Sequence, residues 1–76
     1  MTKREFLLLL DEMLGFDQGT LKGAEVLKET EAWDSLMVMN FIALADEKFG
    51  VALQPKKIGA CKTFDDLAAL LPEHVL

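Results

Sequence analysis

Between Asp34 and Gly50, the apolar residues Val38, Phe41, Ile42, Ala45 and Phe49 recur three and four positions apart. That is the helical period. It predicts one helix from about Ser35 to Phe49 with a single core-facing stripe. Asp34 is placed to cap its start, and Gly50 to close it at the first position beyond its end. Strand alternation offers no competing pattern, because Val51-Ala52-Leu53 is too short to seed a sheet. A chain of 76 residues has room for one domain, residues 1–76, around one small core.

The same period recurs on both sides. Thr2 and Glu5 have the spacing of a capping box. Phe6, Leu9, Leu10, Met13 and Leu14 then form an apolar face that Leu7 and Leu8 widen, and Gly15 is a natural terminator. Pro55 suits the first turn of a brief helix over Lys56 to Ala60. Thr63 and Asp66 open a last helix with Phe64, Leu67, Ala68, Leu70 and Leu71 on its face, ended by Pro72. From Gly15 to Trp33 the pattern dissolves into turn formers: Asp17, Gly19, Thr20, Gly23 and Thr30. Leu21, Val26 and Leu27 are expected to tuck this long loop against the helices. The expectation is an all-α fold: a small four-helix bundle of three longer helices and one short one, with a long loop between helices 1 and 2. Leu36, Met37, Met39 and Leu44 fall off or at the edge of the second helix's stripe. Met39 is assigned to the core. Leu36 and Met37 either thicken that core or form an apolar surface for partners.

Charge and residue inventory remove several function classes. The net charge of −5 repels phosphate backbones, which excludes nucleic acid as an expected ligand and favours basic protein surfaces. The leucine run ahead of Asp11 and Glu12 is too short for a signal peptide, and no segment is long enough to span a membrane. The single Cys61 cannot form an internal disulfide and reads as a small hydrophobe in a reducing compartment. These points lead to a cytoplasmic protein without membrane contact. The lone His74 sits in the tail and is expected to be solvated. The carboxylate pairs Asp11-Glu12, Asp46-Glu47 and Asp65-Asp66 are adjacent residues, which do not share a helix face. No metal-ligand spacing and no phosphate-cradling glycine loop is present. Neither a catalytic residue nor a metal site is expected, so an enzyme is not.

Ser35 is the residue with chemical potential. At the head of a helix it can share in capping with Asp34. It can equally present its hydroxyl for modification at the positive end of the helix dipole, where unpaired N–H groups favour a phosphodiester. The residues alone leave both readings open. The segments Trp33-Asp34-Ser35-Leu36, Phe41-Ile42-Ala43-Leu44 and Glu47-Lys48-Phe49-Gly50-Val51 closely resemble the acyl carrier proteins. Gly19-Thr20-Leu21 resembles the loop of stand-alone carriers, and Lys62-Thr63-Phe64-Asp65-Asp66-Leu67 the family's entry to its last helix.

The resemblance implies a covalent 4′-phosphopantetheine cofactor on Ser35, transferred from coenzyme A by a phosphopantetheinyl transferase. The arm's thiol would hold acyl groups as thioesters for loading and accepting enzymes, with the protein acting as a monomer. Asp34 matches the family's aspartate associated with transferase recognition and metal placement in that complex. Leu36 matches the apolar contact after the serine. Fatty-acid carriers resembling this chain show an acidic second helix; here Met37 and Asn40 stand near the serine, and acids return only at Asp46 and Glu47. The departure points to a specialised carrier in a polyketide, peptide-like or polysaccharide-modifying pathway, recognised through Asp34, Leu36, Met37 and Asn40. The alternatives are a fatty-acid carrier, an aminoacyl or peptidyl carrier, and an unmodified helical domain that binds a partner helix.

Overall fold

The computed structural model describes residues 1–76. Its helices are α1 (Lys3–Leu14), α2 (Ser35–Phe49), α3 (Pro55–Gly59) and α4 (Phe64–Ala69), with a 3-10 turn at Leu27–Glu29. The capping box of α1 is complete: Thr2 Oγ1 accepts from the Glu5 N–H, and Glu5 Oε1 accepts from the Thr2 N–H. Gly15 and Gly50 end α1 and α2 in the left-handed conformation. Pro55 opens α3, and Thr63 with Asp66 forms a second capping box at α4. The protein is therefore the expected small all-α bundle.

Phe6 from α1, Phe41 from α2 and Phe64 from α4 have no exposed surface and form the centre of the core. Phe6 meets Phe41 edge-to-face, with ring centroids 6.1 Å apart, a favoured aromatic geometry. Leu10, Ile58, Leu67 and Leu71 close around them.

Four details of the helices and the tail depart from the sequence expectation. First, α4 has six residues, so the bundle has two longer helices and two short ones. Its helix stops ahead of Pro72 because the residue before a proline disfavours helical backbone. Leu71 and Val75 are nevertheless buried, so the tail packs as an irregular strap. Second, Met39 is 59% exposed rather than in the core. It lies two residues from buried Phe41, about 160° around the helix. Third, the buried face of α1 is Phe6, Leu7, Leu10 and Asp11, with Leu9 only half-buried. Fourth, His74 is half-buried, its ring 5.2 Å from that of Phe49.

Asp11 explains how the long loop is held. Its side chain is fully buried. Its Oδ2 accepts from the Gly19 N–H at 2.9 Å and its Oδ1 from the Leu21 N–H at 3.0 Å. A carboxylate can be buried where backbone donors replace water. Leu21 and Leu27 then tuck into the core as expected. Val26 does not; it stays exposed and pairs through its backbone with Thr63 in an isolated antiparallel bridge. Neighbouring bonds run from the Leu27 N–H to the Lys62 carbonyl and from the Asp65 N–H to the Gly23 carbonyl. Gly23 has φ +111°, and a Cβ there would lie 2.7 Å from Asp65 Cγ, so this crossing requires glycine.

Two further carboxylates bind backbone at the same junction. Burial alone would push Glu25 up, but the Lys22 and Gly23 amides that bond it hold it below its ordinary range. The Lys62 and Thr63 amides likewise hold Asp66 low. Both groups have a depressed folded pKa, so their stabilisation is present at neutral pH and is lost as the pH falls through the carboxylate range, roughly pH 4 and below. Amide exchange is expected to show the Lys22, Gly23, Lys62 and Thr63 amides losing protection on acidification before those of α1 and α2. Simultaneous loss everywhere would show that these carboxylates do not govern the junction.

Candidate functional site

The start of α2 is held in place from behind. The Trp33 N–H bonds the Thr30 carbonyl at 2.9 Å. The Trp33 ring packs edge-on against Phe41 and Phe64, with centroids 6.1 and 5.8 Å away. This wedge fixes the direction in which the chain enters the helix. Asp34 follows in extended conformation, the geometry an N-cap requires. Its Oδ1 accepts from the Met37 N–H at 2.9 Å, and its carbonyl accepts from the Val38 N–H at 3.0 Å.

Capping is therefore the work of Asp34. Ser35 is the first residue of α2; it is exposed, and its hydroxyl takes part in no hydrogen bond. The amides of Ser35 and Leu36 precede the first intrahelical bond and have no protein acceptor. The first turn contains no acidic residue. Unpaired N–H groups and the positive end of the dipole thus meet beside a free hydroxyl, an arrangement that suits an attached phosphate diester. The outward placement lets a long substituent leave the surface without disturbing the core.

The other residues singled out in the sequence gather on the same two turns. Leu36 is 63% exposed, Asn40 is exposed and Met37 is half-buried. Asn40 Nδ2 donates to Met37 Sδ at 3.6 Å. Met39 joins Leu36 one turn along, a member of this surface that the stripe pattern had placed inside. Beside these turns, a cavity of about 230 Å³ separates Trp33 and Val38 from Pro55, Ile58 and Cys61. It places α3 as the neighbour of the proposed surface.

Cys61 is half-buried, and its thiol donates to the Lys57 carbonyl at 3.5 Å. Burial first, and the Asp66 charge second, push its pKa up. The protonated thiol is a poor nucleophile. No helix is long and apolar enough to cross a membrane.

Residues 9–71 match the family model described as the phosphopantetheine attachment site. No curated protein and no solved structure matches the chain. The family match spans most of the sequence and takes in α2 with its exposed serine, so the chain belongs to the acyl carrier protein family, whose members carry covalent 4′-phosphopantetheine.

Proposed function

We propose that Ser35 is the attachment point and that the protein carries acyl groups for a specialised biosynthetic pathway. One observation supports the site above all others: Asp34 caps α2, which leaves the Ser35 hydroxyl exposed and unbonded at the helix head. In the transferase complex, Ser35 Oγ forms one O–P bond and one P–O–P linkage of coenzyme A breaks. The nucleotide half departs, and the serine proton passes to a base of the transferase. The attached arm supplies a terminal thiol on which an acyl group is held as a thioester. The chain itself supplies position: Trp33 fixes the helix entry, Asp34 its cap, and the free amides of Ser35 and Leu36 would hold the phosphodiester.

Intact-mass measurement tests the site. After incubation with coenzyme A and a broad-range phosphopantetheinyl transferase, the protein is expected to gain one phosphopantetheine. Ser35→Ala is expected to gain none. Absence of any gain with a range of competent transferases would favour an unmodified interaction domain.

The pathway is read from the surface that partners meet. The first two turns of α2 present Leu36, Met37, Met39 and Asn40, with no acid among them. We assign recognition to Asp34, Leu36, Met37 and Asn40, and place the protein in the cytoplasm as a monomer. Met37→Glu is expected to weaken loading by the cognate enzyme. Efficient charging and turnover by a fatty-acid synthase would assign the protein to fatty-acid synthesis instead. Charging by an adenylating enzyme with an amino acid would make it an aminoacyl carrier.

A further inference from the structure

The charge of this chain is unevenly distributed. Residues 48–64 contain Lys48, Lys56, Lys57 and Lys62 and no acid. Removing those four charges from the net of −5 leaves −9 on the other 59 residues. The one ion pair in the molecule, Lys3 Nζ to Asp65 Oδ1 at 3.1 Å, lies elsewhere, so none of these four lysines is held in an ion pair. Lys56 and Lys57 belong to α3, which packs on α2 across the cavity beside Trp33 and Val38. Lys28 also lines that cavity, and together with Lys62 it lines a second one. No acid lines either cavity.

The helix packed against α2 therefore carries two cations and no acid. Apart from Asp34, the nearest acids in sequence are Glu29 and Glu31 on the entry loop, and Asp46 and Glu47 further along α2. The Asp34 carboxylate is turned to the Met37 amide. A docking partner responds to charges within about one Debye length, roughly 8–10 Å, and not to the net charge of the molecule.

We propose that this face docks a protein surface with an apolar socket for Leu36 and Met39, flanked by acidic side chains where it meets α3. The partner chemistry is opposite to what the overall acidity of the chain would select. Leu36 and Met39 supply contact area, and Lys56 and Lys57 supply steering and register. The proposal rests on the carrier reading of α2.

The test uses the phosphopantetheine-bearing protein and two synthetic amphipathic helical peptides with one leucine stripe. One peptide has glutamates beside the stripe and the other has lysines. In an NMR titration, the glutamate peptide is expected to shift the amides of Leu36, Met39, Asn40, Lys56 and Lys57, and to bind about tenfold more weakly at high salt. The lysine peptide is expected to bind that face at least about tenfold more weakly. K56E/K57E should reverse the preference, and D46K/E47K, at the far end of α2, should leave it in place. Preference for the lysine peptide, glutamate-peptide binding elsewhere, or binding of neither would overturn the proposal. So would tighter attachment to vesicles containing phosphatidylglycerol than to either peptide, which would assign the face to a lipid surface. A failed mass gain at Ser35 would sink the carrier reading whichever peptide binds, so the two failures are distinguishable.

Discussion

Replacing Asp11 with alanine is expected to lower the unfolding free energy by about 2–4 kcal/mol, since it leaves the Gly19 and Leu21 amides without acceptors. Part of the lost bonding is offset because a buried charge is also removed. Asp11→Asn separates the causes. It keeps the volume but has one acceptor oxygen, so one of the two amides would face an NH2 group. It should therefore also destabilise, and the damage should appear first in the loop between α1 and α2. Urea unfolding measures the total, and amide exchange at Gly19 and Leu21 locates it. If Asp11→Asn matches the parent protein in both, the carboxylate is not the tie that holds the loop.

The second large effect belongs to Phe41. It has no exposed surface and touches Phe6 and Trp33 edge-on. Truncation to alanine removes the ring and leaves a cavity among three helices, a loss of about 3–5 kcal/mol. Phe41→Leu fills part of that space and should cost clearly less. Chemical denaturation of the two variants orders them. Equal midpoints for Phe41→Ala and the parent would show that α2 is not held through this ring. A destabilisation of this size is a large fraction of the stability of a small domain, so Phe41→Ala is expected to be partly unfolded at room temperature.

The helix boundaries were legible because they are written locally. Thr2 with Glu5, Asp34, Gly50, and Thr63 with Asp66 each act within three or four residues, and the structure uses every one. Ser35 was legible as a position but not as a role. The choice between capping and a free hydroxyl depended on which of two adjacent side chains turns to the Met37 amide. The role of Asp11 was not legible, for a different reason. In sequence it interrupts a leucine run, and its acceptors' partners lie eight and ten residues away in a loop without periodicity. Met39 was placed inside because a thick apolar face and an exposed apolar surface have the same composition. Only its angle from Phe41 separates them. The length of α4 was overread because Leu70 and Leu71 continue the apolar pattern after the helix has ended. The lysine concentration around α3 could have been found by charge counting over residues 48–64, but its position beside the surface of α2 depends on packing.

The wedge formed by Trp33 gives the molecule an optical property. It is the one tryptophan in a chain without tyrosine, so emission excited beyond the absorption of phenylalanine has a single source. That source is half-buried between Phe41 and Phe64, two residues ahead of Ser35. Any event that tilts the head of α2 changes its surroundings. Events at the serine can thus be followed in the natural sequence by the colour and polarisation of its own light, without a label.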